Sequence, residues 1–419
     1  MSEPWRETTL PNGLRVITES MPRLQTASFG VWVDVGTRHE DAAVNGVAHM
    51  LEHMAFKGTE RRSARGIAEE IERVGGSLNA YTSRDNTAYY ARILADDLPL
   101  AADILADILQ HSTFDETELE KERHVILQEI GQVLDTPDDL VFDQFQETAY
   151  PDQPMGRSIL GPAEVVEALP RHALTDYMTR HYAPSRIVVS AAGKVDHDQV
   201  VDLAGSLFTS LSGGESVPEP ARYEGGLRIE HCADLEQVHL CVGVEAVPFT
   251  DPDFWPLQVF STAWGGGMSS RLFQEIRENR GLCYSIYSFT SAHADTGTLG
   301  VYAGTGADDL EELLPVLVEE TRKLILAPDA DEVLRAKAQL KAGLFMALES
   351  CQAVCEEQAR QLFCFGRRIP TEEIVARLEA VDIDAIRTVG KRLFGKGRTS
   401  VTAIGPIERL PEITLSGLV

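Results

Sequence analysis

The run ARILADDLPLAADIL, residues 91–105, has an echo in AGTGADDLEELLPVL, residues 303–317, and this internal repeat limits the possible folds more than any other feature. In the first half the echo follows two strand-like runs, LRVITE and ASFGVWVDVGT, then a helical pattern, ARGIAEEIERVG, and an alternating run, GSLNAYTSRDNTAYYARIL. It opens into a strongly amphipathic helix, DDLPLAADILADILQH. The second half keeps this order with VHLCVGVEAV, an apolar helix FWPLQVFSTAWGGG, then SSRLFQEIREN, the strand-like CYSIYSFTSAHADTGTLGVYAGT and a helix DDLEELLPVLVEETRKLI. Between them TSLSGGESVPEPARYEGG, residues 209–226, mixes Gly, Ser, Pro and charge without periodicity and reads as a linker. A chain of 419 residues exceeds what one core usually serves. The expectation is an α+β protein of two structurally similar domains, 1–212 and 227–419, joined by a linker at 213–226. Each domain should be a mainly antiparallel sheet with helices packed on one face.

The formal net charge of -27, from 65 acidic against 38 basic residues, argues against nucleic acid and favours neutral or basic ligands. The opening MSEPWRETTLPNGLRV lacks the basic, apolar or arginine-rich amphipathic segments of a targeting signal, and no apolar run is long enough for a membrane span. The six cysteines (Cys232, Cys241, Cys283, Cys351, Cys355 and Cys364) match neither a zinc ribbon nor a disulfide framework. Free thiols in a reducing cytoplasm are expected.

One stretch carries chemistry: AHMLEHMAFKG, residues 48–58. The segment after Asn45-Gly46 is good helix material. On a helix His49 and His53 lie one turn apart, with Glu52 beside them. Two imidazoles so placed can share a metal ion, and the order H-x-x-E-H is that of the inverted zinc-protease motif. A histidine pair packed in a core fits the same pattern, so a third ligand is needed to choose. DETELEKERHVILQEIGQVL supplies candidates, since Glu122 and Glu129 are two turns apart on one helix face. A solvated acidic stripe explains Glu116, Glu118 and Glu120 well. It explains Glu129 less well, because Val125, Ile126, Leu127, Ile130 and Val133 surround it in sequence; a carboxylate embedded there either pairs or coordinates.

Together HMLEHMAFKGT, GGSLNAYTSRDNTAYYAR, ERHVILQEI and GMSSRLFQEIRENRGLCYSIYS resemble the pitrilysin and mitochondrial processing peptidase family of zinc proteases, in its short two-domain form. The resemblance runs from about Gly30 to Thr305. In that family the third ligand stands seventy-six residues past the second histidine, the distance from His53 to Glu129, and an auxiliary glutamate falls seven residues earlier, on Glu122. The resemblance implies one Zn2+ per chain on His49, His53 and Glu129, with Glu52 as general base.

It further implies that Arg277 and Tyr284 anchor substrate, Arg280 being a competitor for the arginine's role. A helix-terminal arginine and a core tyrosine are the plainer reading of that pair. Asn79, Ala80 and Tyr81 fall on a strand that family members pair with an extended substrate backbone. WGGGMSSRLF lacks the Lys-Ser/Thr of a phosphate loop and resembles a short form of the family's glycine-rich loop. Longer relatives close four such units around a chamber. Two units therefore imply a homodimer with a composite site, or a heterodimer with a homologous chain. The expected substrates are unfolded peptides, and the acidic surplus favours basic ones. The alternatives are a non-catalytic subunit of the same fold and a peptide-binding module with structural zinc.

Overall fold

A computed structural model describes residues 5–211, 213–214, 217–395, 398–411 and 413. The domain limits 1, 212 and 419 and linker positions 215 and 216 lie outside them. Eleven strands among these residues build two sheets. They are β1 (Trp5–Thr9), β2 (Arg15–Ser20), β3 (Thr26–Val33), β4 (Ser77–Thr82), β5 (Thr87–Leu94), β6 (Ile187–Gly193), β7 (Gly226–His231), β8 (Val238–Glu245), β9 (Cys283–Ala292), β10 (Gly297–Thr305) and β11 (Thr399–Gly405).

The first sheet has the order β1-β2-β6-β3-β5-β4, and the second β7-β11-β8-β10-β9. Leaving β1 aside, the two orders are the same pattern. Each holds one parallel pair, β2 with β6 and β7 with β11, and is otherwise antiparallel. The tight hairpins β4–β5 and β9–β10 leave β4 and β9 as equivalent sheet edges. The repeat legible in the sequence is thus a repeat of topology, and the α+β class holds.

The division of the chain departs from the expected contiguous halves. One compact unit gathers 1–131, 157–219 and 346–368; the other gathers 132–156, 220–345 and 369–419. Each half of the sequence therefore lends a helix to the other half's unit. The helix Cys351–Phe365 lies in the first unit and the helix Pro137–Ala149 in the second. This also amends the expectation that helices cover one face of each sheet. On one side of the first sheet Phe29, Val31 and Val33 join the main core with the helix Leu98–Gln110. On the other, Trp32, Ile17, Ala88 and Val188 meet Val354, Cys355, Ala359 and Leu362 of the lent helix. A strand buried on both faces is mostly apolar, which is why ASFGVWV shows no alternation, and its one polar side chain, Ser28, donates to the Ala91 carbonyl. In the second unit Val141 and Phe145 cover Cys241, Tyr302 and Ile404 in the same way.

Among the described residues no helix is long and apolar enough to cross a membrane. All six cysteines are free, with Cys241 and Cys355 buried.

Candidate metal centre

The H-x-x-E-H segment forms the helix Val47–Ala55, which buries Val47, Ala48, Met50, Leu51, Met54 and Ala55 in the core of the first unit. The apolar positions fix its rotation and leave His49, Glu52 and His53 on the partly open side. Gly46 opens the helix at φ +101, and a Cβ there would stand 2.7 Å from the Leu160 carbonyl oxygen, so a side chain is excluded twice over. The entry is held by Glu40, which is buried and accepts hydrogen bonds from the backbone amides of Gly46 (2.9 Å) and Ala48 (2.8 Å) and from Asn45 Nδ2 (2.7 Å). A carboxylate at a helix N-terminus meets orphan N–H groups and the positive end of the dipole. Burial nevertheless pushes Glu40 up to about 7, against the pull of these bonds.

The helix Glu116–Leu134 supplies the facing carboxylates. Glu129 Oε2 lies 3.7 Å from His49 Nε2 and 3.7 Å from His53 Nε2, and ligand atoms of all three residues fall within 4.8 Å of one another. Ligands of tetrahedral zinc stand about 3.4 Å apart, so the two gaps from Glu129 to the histidines are within a few tenths of an ångström of what such an ion would need. The donors have the required form. Burial, then the neighbouring His53, lowers His49 to about 4, leaving a neutral imidazole with a free lone pair. His49 Nδ1 is buried without a hydrogen-bond partner. His53 Nδ1 donates to Glu122 Oε2 at 3.0 Å, which turns the Nε2 lone pair of His53 toward Glu129. The residues present fit a zinc ion.

Burial divides the two glutamates differently from the sequence expectation. The Glu129 side chain is 39% exposed and that of Glu122 only 9%. Of the apolar residues around Glu129, Ile126 alone is buried, and Val125 is exposed. The enclosed carboxylate is Glu122, which also accepts from Lys57 Nζ at 2.6 Å.

Glu52 is mostly enclosed, and burial raises its carboxyl above the usual range, opposed by a hydrogen bond from Thr82 Oγ1 at 2.6 Å. Thr82 ends β4, the edge strand that also carries Asn79, Ala80 and Tyr81. Asn79 is exposed and its Oδ1 accepts from the amide of Ala80. Tyr81 points to the opposite face, where its hydroxyl accepts from Trp32 Nε1 and donates to Glu356 Oε1, each at 3.3 Å.

Arg277 and Tyr284 belong to the second unit, where the structure brings them together. Arg277 sits in a π-helical turn, Phe273–Glu278, a form that recurs at functional sites. Its Nε donates to the Tyr284 carbonyl at 2.9 Å, and its guanidinium stacks 4.6 Å from the Phe273 ring centre. Tyr284 is 76% exposed, which removes the core-tyrosine reading. The competitor Arg280 pairs instead with Glu275 and Glu312.

Sequence reasoning missed Lys57, Thr82 and Glu40. Lys57 lies within the motif stretch itself, four residues past His53, and Thr82 follows Tyr81, so both left a trace. Glu40 left none, because its partners are backbone amides.

Comparison with known proteins gives the family. Residues 15–163 match the insulinase (peptidase family M16) model, and residues 168–340 match the peptidase M16 inactive domain. The chain is 42% identical to a probable mitochondrial-processing peptidase subunit beta of Arabidopsis thaliana, over 97% of this chain and 79% of that one. It is 40% identical to an uncharacterized zinc protease of Streptomyces coelicolor, over 96% and 90%. In fold it is similar to a protease from Helicobacter pylori, with TM-score 0.89 at 23% identity, covering 96% and 99% of the two chains. A chain of complex III2 from Candida albicans gives 0.86 at 22%, covering 97% of each. These define a two-domain fold of the M16 peptidase class. The chain belongs to the insulinase family of peptidases, peptidase family M16, in its short pitrilysin-type form.

Proposed function

We propose that this chain is a zinc-dependent endopeptidase acting on unfolded or extended peptides. The observation that carries the reading is the meeting of His49, His53 and Glu129 with the Glu52 carboxylate on the same helix. A bound zinc ion supplies Lewis acidity, which makes water easier to deprotonate and a peptide carbonyl more electrophilic. Glu122, through His53 Nδ1, keeps that imidazole's other nitrogen free as a ligand. Glu52 takes the proton of the attacking water and returns it to the departing amine. The edge of β4 at Asn79–Tyr81 pairs with the substrate backbone, which gives affinity with little demand on sequence. Donors for the developing oxyanion come from Arg277 and Tyr284 of a second copy, in a composite homodimer site. A homologous chain in a heterodimer fills the same role in the other arrangement. The acidic surplus favours basic peptides.

The test is hydrolysis of quenched peptides by the purified protein, with and without chelator, beside metal analysis. About one zinc per chain is expected, with cleavage that stops on chelation and returns with added zinc. Zinc without chelator-sensitive cleavage would leave a non-catalytic subunit or binding module instead. Mixing Glu52→Gln with Tyr284→Phe tests the shared site: shared dimers that never exceed either variant alone would remove it.

A further inference from the structure

We propose that Thr82 is a positioning residue for Glu52, fixing which carboxylate oxygen faces the reaction. The inference rests on the reading of Glu52 as the base.

The geometry starts from strand alternation. In β4, Leu78 and Ala80 pack on the main core of the first unit, the side of the motif helix, while Tyr81 joins the cluster on the opposite face. Thr82, two residues past Ala80, therefore points to the same side as Leu78 and Ala80. There its Oγ1 donates to Glu52 Oε2 at 2.6 Å. A threonine hydroxyl has one proton to give, and this one is committed to Oε2. The other oxygen, Oε1, is left to receive the proton of water. Branching at Cβ restricts the threonine to few rotamers, so the strand backbone and not a mobile side chain sets the direction of the bond.

The placement has a second consequence. The strand that would pair with substrate also carries the group that orients the base, two residues from Ala80. Seating a peptide on β4 thus fixes the scissile carbonyl and the base against one rigid element, and a misplacement of about 1 Å can cost a hundredfold in rate. The Thr82 hydroxyl bonds to Glu52, and it is through Glu52 that it acts.

The test compares Thr82→Val, which keeps shape and loses the hydroxyl, with Thr82→Ser, which keeps the hydroxyl. Thr82→Val should retain zinc and KM while kcat falls about tenfold or more, and Thr82→Ser should recover to within a few-fold of the parent. Equal kcat in the parent and Thr82→Val overturns the inference. So does an equal loss in both variants, which a merely structural threonine would give. A second readout does not depend on activity: crystal structures of the zinc-loaded parent and Thr82→Val. One Glu52 conformer in the parent and a rotated or divided carboxylate in the variant support the inference; an unmoved carboxylate overturns it. If the parent cleaves no peptide, the peptidase reading falls, and the carboxylate position still decides the role of Thr82.

Discussion

The Glu122 carboxylate bridges His53 and Lys57, accepting from Nδ1 of the first at 3.0 Å and from Nζ of the second at 2.6 Å. A carboxylate that accepts from Nδ1 keeps the His53 ring in one orientation, with Nε2 left free as a ligand. Glu122→Gln should therefore weaken zinc binding about 10- to 100-fold, as removal of such outer partners commonly does. Lys57→Met should act in the same direction with a smaller effect. Chelator competition on both variants measures this; zinc affinities equal to the parent's would contradict the bridge's role.

The loop leaving the motif helix is pinned by Asp107, whose side chain is fully buried. It accepts from Thr59 Oγ1 at 2.8 Å, Arg61 Nε at 3.1 Å and Arg62 Nη1 at 2.7 Å. Arg61 and Arg62 keep Asp103 as a second partner, so removing Asp107 forfeits its own hydrogen bonds, about 1.5–3 kcal/mol for a charged acceptor, and strands no buried charge. Asp107→Ala should lose stability of that order in chemical denaturation. A loss within the range of a surface substitution would show that water replaces the network.

Glu40 closes the other end of the same helix. Glu40→Ala leaves the amides of Gly46 and Ala48 without their acceptor in a buried place, for an expected loss of about 2–3 kcal/mol. Because the cap sits within one turn of His49, zinc affinity should fall as well. Denaturation and chelator competition on one preparation check both.

Two histidines of the first unit predict a pH dependence of stability. Burial, then Arg186, lowers His39 to about 3, and burial, then Arg180, lowers His181 to about 4, each from an ordinary 6.5. The unfolded chain takes up protons there that the folded chain refuses. The stability from these neutral rings is complete above pH 6.5 and is lost progressively as pH falls toward 3–4. The thermal midpoint should drop between pH 7.5 and 5, and a His39→Asn, His181→Asn double variant should show a shallower slope. The same slope in both proteins would assign the effect elsewhere.

The repeat, the strand runs and the pairing of His49 with His53 beside Glu52 were legible in the sequence because each is a local pattern of periodicity or helical spacing, whereas the choice of Glu129 over Glu122 came from the family resemblance. The exchange of helices between the units was not legible. Pro137–Ala149 and Cys351–Phe365 are ordinary helices, and which sheet each covers is decided by tertiary packing. The burial of Glu122 in place of Glu129 was hidden for a related reason. Apolar neighbours in sequence mark a helix face, yet that face at Val125 and Glu129 is left open. Thr82 and Glu40 act across 30 residues and through backbone amides, beyond any motif.

The central claim is that His49, His53 and Glu129 hold zinc while Glu52 moves the proton. Glu52→Gln separates the two, since the amide keeps the shape and cannot act as a base. Measured together on one sample, zinc content should stay near one per chain while kcat for a quenched peptide falls about a thousandfold. Zinc retained with undiminished cleavage would contradict the account.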